Sequence, residues 1–428
     1  MALPADVQQA VLLAHQTAAD RTLWPGWRFE QTPLVLYGGG EGFLIGHPSP
    51  PAGYTADGEV AGRPLYRGPA LPEMAANTAQ VIAGHLSALA KLPAERLEDE
   101  AVARYARLLL HEGFHVFQQT SLPDCGWNGS RMLAAMAVYP ENDPPNNALA
   151  IVENDLLAAA LDGDPDGPAA FLAVRHHRHR RLERRGLREV AGYEKYVEYN
   201  EGTPTYVEHR AGLPVAALKE RLALCNRGGK WASYQRYYYS GAALALLLDR
   251  LSPGWPERFA AGGKSLQTLL ESSVVGELPP VSKVLQARGF TPVLEEEERA
   301  ELARRERVAA LLAELREGPG QMVQITLPPT VPGLMWDPRT MLVVEPGVRL
   351  HSTICGARGP DGLTLDIAGR LCLEEPGEAG TRTLTLRLPE PPVVERGARL
   401  AVTGPGLTLD APAGVVEETG EGVVWIRL

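Results

Sequence analysis

The sequence is poor in cysteine, and this excludes a disulfide-rich scaffold. Only four of its 428 residues are cysteine, and no two of them have C-x-x-C spacing. We therefore interpret the cysteines as buried thiols rather than metal ligands. Cys355 and Cys372 can approach one another in the last part of the chain, but a reducing compartment disfavours a stable bridge between them.

Long hydrophobic runs are absent as well. No stretch of 18 apolar residues occurs, and the longest apolar segment, 241–248, ends at Asp249. The sequence therefore predicts no membrane-spanning helix. The first residues include no basic segment, and the apolar run at 11–14 is too short for a signal peptide. We expect a cytoplasmic protein.

The chain also lacks an excess of basic residues. Its net charge of −10 and its pI near 5.6 argue against nucleic acid as the main partner. One local exception is 175–188, which holds seven arginines and three histidines against one glutamate. A patch for RNA or an anionic substrate is one interpretation. The favoured interpretation is a solvated helix that meets acidic segments such as 295–298.

The most informative segment is 111–115, which reads His-Glu-Gly-Phe-His. On an α-helix, positions i and i+4 share one face, so His111 and His115 can bind the same zinc ion. Glu112 lies about 100° around the helix and can reach a water bound to that zinc. Two ligands and a general base on one helical turn are typical of a zinc hydrolase.

The residues around this motif favour the zinc hypothesis over two surface histidines and a salt-bridging glutamate. Apolar residues recur at helical spacing through 101–117, so the motif is predicted to be buried or to line a cleft. A buried His-Glu-His group without a metal would lose hydration and gain no partner.

A third zinc ligand is expected elsewhere in the chain. The metzincin pattern fails because Gln118 and Ser121 occupy the positions that require Gly and His. A thermolysin-like glutamate about twenty residues downstream is also lacking. Residues 199–208 read Tyr-Asn-Glu-Gly-Thr-Pro-Thr-Tyr-Val-Glu, which resembles the N-E-G-F-A-x-Y-x-E signature of gluzincin peptidases of the aminopeptidase N type. The resemblance implies that Glu201 is the third ligand.

The chain departs from that family in several respects. Between His115 and Glu201 there are 85 residues, which predicts a large helical insertion. Pro204 is compatible with a helix only if the helix begins close to Glu201. The G-x-M-E-N segment that anchors a substrate's amino end in aminopeptidases is missing upstream of the zinc motif. Rival third ligands exist, and they are Glu198, Glu208, His209 and Glu153.

A third block, at 236–251, is similar to the Y-x-K-G-A-x-x-L segment of the same family. Tyr238 and Gly241 fall on matching positions, and Ser240 replaces the lysine. The resemblance implies that Tyr238 donates its hydroxyl to the oxyanion of the tetrahedral intermediate. Tyr237 and Tyr239 are neighbours that a shift of register would put in that role. A tyrosine-rich helix start in the core is the alternative interpretation.

Together the three blocks imply a gluzincin-like zinc metallopeptidase with one Zn²⁺ per chain. His111, His115 and Glu201 would hold the metal, Glu112 would act as general base, and Tyr238 would stabilise the oxyanion. The expected substrate is a peptide or protein. Three alternatives stay open: a zinc- and peptide-binding protein without activity, a zinc hydrolase acting on another substrate, and an arginine-patch interaction protein.

Composition and periodicity predict an α+β protein of several parts. We expect an N-terminal α/β part of the catalytic unit at 1–95, a mainly helical zincin-like domain at 96–290, a charged connecting helix at 291–318, and an all-β sandwich or barrel at 319–428. Residues 78–90 are expected to supply a strand and a helix before the zinc helix, and in zincins an edge strand beside that helix pairs with the substrate.

The predicted elements follow this division. Helices are expected at 1–20, 98–119, 146–161, 169–185, 189–199, 203–211, 213–224, 234–251, 266–271 and 294–315. Strands are expected at 34–37, 42–45, 323–327, 341–344, 363–367, 371–373, 383–388, 398–402 and 423–428. The glycines at 38–40 are interpreted as a turn without a nucleotide role.

Overall fold

The computed structural model of the chain confirms the predicted α+β class. It describes residues 2–74, 76–123, 126–229, 233–262, 264–331, 334–336, 341–345, 347–359, 362–412, 414–418 and 423–428. The chain divides into two units. One consists of Met1–Met136 and Pro145–Leu294, and the other of Ala137–Pro144 and Glu295–Leu428.

The first unit opens with a six-stranded sheet. Its strands are β1 (Leu34–Gly38), β2 (Glu41–Ile45), β3 (Thr55–Val60), β4 (Arg63–Pro69), β5 (Thr78–Ile82) and β6 (His85–Lys91). The order across the sheet is β3-β4-β2-β1-β6-β5, with β1 parallel to β6 and the other pairs antiparallel. Strand β5 therefore lies at an edge.

The prediction of a helix within 78–90 is wrong. This segment forms the hairpin β5–β6, in which Ile82 pairs with His85. The two residues between them, Ala83 and Gly84, both have positive φ, of 44° and 81°. Two consecutive positive φ angles match the twist of a two-residue hairpin, which explains why the chain turns back as a strand.

Twelve α-helices precede residue 290 in the described part of the chain, and nine of them lie where the sequence predicts a helix. They are α1 (Ala5–Asp20), α2 (Asp99–Ser121), α3 (Gly129–Ala137), α4 (Pro144–Leu161), α5 (Gly167–Arg184), α6 (Arg188–Val197), α7 (Thr203–Arg210), α8 (Val215–Leu224), α9 (Gln235–Leu251), α10 (Trp255–Ala260), α11 (Leu266–Glu271) and α12 (Val281–Ala287). The sequence did not predict α3, α10 or α12, which are short. A π-helical turn, Glu198–Gly202, joins α6 to α7.

Helix α2 packs between the sheet and the other helices. It contacts α1, α7, β5 and β6, and its apolar face includes Leu109, Leu110 and Phe114 in the main core of the unit. Phe114 packs against Trp24 and Trp27, with ring centroids 5.0 and 5.2 Å apart. This packing fixes the orientation of the H-E-x-x-H motif.

The second unit contains the segment Ala137–Pro144, helix α13 (Phe290–Glu317) from Glu295 onward, and a β-sandwich. Its strands are β7 (Gln321–Leu327), β8 (Leu334–Trp336), β9 (Met341–Glu345), β10 (Val348–His351), β11 (Ile354–Arg358), β12 (Thr364–Ala368), β13 (Cys372–Pro376), β14 (Arg382–Leu388), β15 (Val393–Arg396), β16 (Leu400–Gly404), β17 (Leu407–Ala411), β18 (Val415–Glu418) and β19 (Val423–Arg427).

Two sheets enclose the core of this unit. They have the orders β18-β19-β7-β14-β13-β10-β9 and β15-β16-β17-β12-β11-β8. Alternate residues of both sheets, such as Ile325 and Leu365, meet in one buried cluster. The free thiols of Cys355 and Cys372 lie opposite one another in that cluster, hydrogen-bonded and not bridged, whereas Cys125 lies outside the described residues.

Within the described part of the chain, none of the helices combines the length and the apolar character needed to cross a bilayer.

Candidate metal centre

Three side chains that are distant in sequence meet at one point of the first unit. The Nε2 atoms of His111 and His115 lie 3.5 and 3.6 Å from the same oxygen, Oε2 of Glu201. All three residues are buried. Among the residues that the structure describes, no other three His, Cys, Asp or Glu side chains bring their ligand atoms within 4.8 Å of one another. This group can hold a metal ion.

The spacing of these atoms fits a small divalent cation. In a tetrahedral zinc site with bonds of about 2.0–2.1 Å, neighbouring ligand atoms are about 3.3–3.4 Å apart. The two measured separations differ from this value by only a few tenths of an ångström. Two imidazole nitrogens and one carboxylate oxygen are also donors that zinc accepts.

The hydrogen bonds of His111 direct its lone pair toward this point. Its Nδ1 atom lies 2.7 Å from Oε1 of Glu208, and a carboxylate can only accept. Nδ1 therefore carries the proton, and Nε2 faces Glu201. A carboxylate behind a histidine is the usual way in which proteins orient a metal-binding imidazole.

His115 has the same orientation for a different reason. Its Nδ1 atom lies 2.8 Å from Oε1 of Gln118, whose amide nitrogen faces the carbonyl oxygens of Tyr199 and Asn200. Since carbonyl oxygens only accept, the amide can have only this orientation, and its oxygen must receive the proton of Nδ1. Nε2 of His115 is then the free lone pair.

Glu201 presents one oxygen to the histidines and keeps the other for hydrogen bonds. Its Oε1 atom accepts from the Tyr234 hydroxyl at 2.8 Å and from Nδ2 of Asn200 at 2.9 Å. Oε2 is the oxygen that faces the Nε2 atoms of both histidines. Burial alone would raise the pKa of Glu201, but the two imidazoles hold it well below its usual value.

A proton can stand in for the cation in the metal-free chain. Burial alone would lower the pKa of His111, yet the carboxylates of Glu201 and Glu208 raise it well above its usual value. Three lone-pair atoms facing one another in a buried site repel unless a positive charge lies among them. A metal ion would therefore compete with this proton.

Glu112, the glutamate of the motif, has one carboxylate oxygen that accepts no hydrogen bond from the described residues. It is 5 % exposed, and its Oε2 atom is buried without a hydrogen-bond partner among the described residues. Burial raises the pKa of this carboxyl, against the lowering effect of the two histidines. A buried carboxylate oxygen without a partner is costly unless a water or ligand binds it.

Tyr238 of α9 and Tyr234, the residue before that helix, pack beside the three candidate ligands. The ring of Tyr238 stacks on that of His111, with centroids 6.3 Å apart and planes 18° apart, and its hydroxyl is hydrogen-bonded to Glu201 and Tyr234. Burial, and then the charge of Glu201, raises the pKa of Tyr238. The hydroxyl therefore keeps its proton and can donate it in a hydrogen bond.

The turn that carries Glu201 is built around a proline and a glycine. The α-helix after it begins at Thr203, so Pro204 stands in the first turn, as the sequence required. Gly202 crosses Gly241 of α9 in direct backbone contact, because a Cβ on Gly202 would lie 2.6 Å from the Cα of Gly241. The glycines of the second and third sequence blocks are thus one structural contact.

The rival ligands have other partners. Glu208 supports His111 from behind, and Nδ1 of His209 lies 2.9 Å from the carbonyl oxygen of Leu213. Glu198 and Glu153 form ion pairs with the buried Arg175 and do not join the group of His111, His115 and Glu201. The sequence allowed Glu153 a place at the cleft or the surface, and both placements are wrong, because it is fully buried.

The favoured interpretation of 175–188 as a solvated helix is wrong for its first turn. Arg175 and Arg178 are fully buried, and with Arg236 they surround the carboxylate of Glu153 at 2.6–2.8 Å. We call this group the buried ion network. It consists of Glu153, Arg175, Arg178, Glu194, Glu198 and Arg236, with three charges of each sign.

The buried ion network is attached to the turn that carries Glu201. Oε1 of Glu198, the first residue of that turn, accepts hydrogen bonds from Arg175 at 2.9 Å and from Ser240 of α9 at 2.7 Å. Glu194 accepts from Arg178 at 2.6 Å, and this guanidinium holds the pKa of Glu194 well below its usual value although burial opposes it. The network therefore anchors one end of the turn.

Sequence reasoning missed two of the residues that shape the site. Gln118 was considered only as a mismatch to the metzincin pattern, and Tyr234 was not considered. Each carried a weak signal, because Gln118 lies three residues after His115 and Tyr234 four residues before Tyr238. Neither spacing is specific without the tertiary contacts.

Comparisons of the chain with protein-family models, with curated proteins and with solved structures found no match. The resemblance to gluzincin peptidases therefore stays a prediction, and the geometry of the site is the basis for a function.

Proposed function

We propose that the chain is a zinc-dependent peptidase in which His111, His115 and Glu201 hold one zinc ion. One observation carries the proposal: three lone-pair atoms from α2 and the π-helical turn converge with separations of 3.5 and 3.6 Å, and the hydrogen bonds behind the histidines point both Nε2 atoms at the same carboxylate oxygen. Such support behind each ligand is characteristic of metal sites.

Glu112 is the proposed general base. When bound, zinc would polarise a carbonyl and lower the pKa of its water to about 7. The free Oε2 atom of Glu112 can take a proton from a water between it and the metal ligands and return it to the leaving amine.

Tyr238 is the proposed donor to the oxyanion. Its hydroxyl is protonated, and its ring is held against His111. Tyr234 donates to Oε1 of Glu201, and Tyr238 is hydrogen-bonded to the same carboxylate, so Tyr238 would exchange that contact for the oxyanion. Removing one oxyanion donor typically costs about 10²–10³ in rate.

An extended peptide is the substrate class that the surrounding elements favour. Strand β5 is the edge of the N-terminal sheet and contacts α2, which carries the motif. Gln80 and Val81 on this strand are exposed. In the zincins that this site resembles, such an edge strand pairs with the substrate backbone.

The test begins with metal analysis of the purified chain, which should contain about one zinc ion. Chelator-sensitive cleavage of a peptide library should follow, and Glu112→Gln should keep the metal while losing about 10²-fold or more of the rate. Glu100→Gln, an exposed position on the same helix, is the matched control. A chain without bound metal would refute the proposal. A metal-loaded chain that cleaves no peptide would be a binding protein or a hydrolase of another substrate.

A further inference from the structure

The π-helical turn before α7 has a gap in its hydrogen bonding. A backbone N–H at position 204 would reach the carbonyl of Asn200 in an α-helical turn and that of Tyr199 in a π-helical turn. Pro204 has no N–H, so it can bond neither. The backbone donor is therefore missing at this position, although the Thr203 hydroxyl donates to the carbonyl of Tyr199 at 2.8 Å.

Gln118 donates to both of these carbonyl groups. Its Nε2 atom lies 2.9 Å from the oxygen of Tyr199 and 3.2 Å from that of Asn200, and it also contacts the hydroxyl of Thr203 at 2.9 Å. The side chain is 3 % exposed, so water does not compete for these contacts. The amide of Gln118 thus does what an N–H at residue 204 would do.

The other end of the same amide holds His115. Three acceptors surround Nε2 of Gln118, which forces Oε1 toward Nδ1 of His115 at 2.8 Å. The acceptors on the turn therefore fix the orientation of Gln118, and Gln118 fixes which ring nitrogen of His115 carries the proton.

We propose that Gln118 is a positioning residue that couples the proline-interrupted turn carrying Glu201 to the imidazole of His115. One amide group would then orient two metal ligands, His115 and Glu201, that have 85 residues between them. The inference rests on the proposed metal site. It separates two tasks: the amide nitrogen stabilises the turn, and the amide oxygen fixes the tautomer of the histidine.

The two tasks can be separated by substitution, with cobalt(II) as the metal probe. Gln118→Met removes both and should lower the affinity for cobalt about 10–100-fold as well as the melting temperature of the metal-free chain. Gln118→Glu keeps an acceptor for His115 but turns a carboxylate toward two carbonyl groups. It should keep most of the affinity and lose thermal stability.

Pro204→Ala supplies the decisive combination, because it restores the N–H. The double variant Gln118→Met with Pro204→Ala should regain the stability that Gln118→Met loses, yet its affinity for cobalt should stay low. A merely structural role for Gln118 predicts that both quantities recover together, and that outcome would overturn the proposal. Gln119→Met, exposed on the same helix, controls for the loss of a glutamine.

A metal-free measurement keeps this inference distinct from the proposed function. In ¹⁵N-histidine-labelled protein, assigned with His115→Gln, the nitrogen shifts should show a proton on Nδ1 of His115 that Gln118→Met displaces. If the unmodified chain binds no cobalt but this shift is seen, the proposed function fails and the positioning role stands. If Gln118→Met leaves the shift unchanged, the positioning role fails.

Discussion

The close contact between Gly202 and Gly241 lets us predict how much a larger residue there would cost in stability and in metal affinity. A Cβ added to Gly241 would lie 2.7 Å from both the Cα of Gly202 and the carbonyl oxygen of Glu198. These neighbours are backbone atoms, which cannot rotate away. Since ordinary contacts are about 3.5–4.0 Å, α9 and the π-helical turn would have to separate by about 1 Å.

Gly241→Ala should therefore weaken both the fold and the metal site. Overpacking of this kind costs about 1–3 kcal/mol of unfolding free energy. The displaced turn carries Glu201, and metal sites tolerate errors of only about 0.2 Å in ligand distance. If the metal-free chain relieves this strain by displacing the turn, and metal binding requires the turn to move back, the affinity for metal should fall roughly 5- to 150-fold.

The measurements are a cobalt titration of the metal-free chain and thermal unfolding with and without metal. Gly129→Ala is the matched control, because a Cβ on this helical glycine would meet no atom within 4 Å. Gly202→Ala should reproduce the effect, and the double variant should cost less than the sum, because both methyl groups force the same separation. A Gly241→Ala chain that binds cobalt and melts like the Gly129→Ala control would refute this account of the crossing.

Three further predictions concern groups around the site and the core. Glu208→Ala should weaken metal binding about 10–100-fold in the same titration, because the imidazole of His111 loses its support; unchanged affinity would contradict this role. Arg178→Met should cost about 3–5 kcal/mol in denaturant unfolding, because it leaves buried carboxylates uncompensated; a loss below 1 kcal/mol would argue against it. Burial, and then a neighbouring arginine, lowers the pKa of His15 to about 4. Between about pH 6.5 and pH 4, His15 is protonated in the unfolded chain but neutral in the folded chain. The free energy of unfolding should therefore fall as the pH is lowered from 6.5 toward 4. His15→Gln should flatten this part of the curve, and an unchanged slope would count against the assignment.

The sequence predicted the local part of the metal centre. His111 and His115 need only the i, i+4 geometry of one helix, and the apolar pattern of α2 identifies that helix. Glu201 was within reach only through a motif resemblance, because 85 residues separate it from His115 and periodicity does not report on such distances. The position of Glu201 beside both imidazoles depends on the backbone contact between Gly202 and Gly241. The sequence does not show that these two glycines meet.

The residues that were misjudged have in common that their environment is tertiary. Arg175 and Arg178 look like solvated residues because arginine is rarely buried. Their positions relative to Phe171, Val174 and Leu182, which are buried on the same helix, were the available signal. Strand β3 was also missed, because five of its six residues are exposed and no apolar alternation marks it.

The buried ion network makes the long insertion between the two halves of the metal centre indispensable. Four of its six charged members, Glu153, Arg175, Arg178 and Glu194, come from helices α4 to α6 of the insertion, whereas Glu198 belongs to the π-helical turn that carries Glu201 and Arg236 belongs to α9. A shortened chain with the compact ligand spacing of the gluzincins that its motifs resemble would leave a buried glutamate and a buried arginine without their partners. A chain shortened in this way should therefore fail to fold unless Glu198 and Arg236 are both replaced by apolar residues of similar volume.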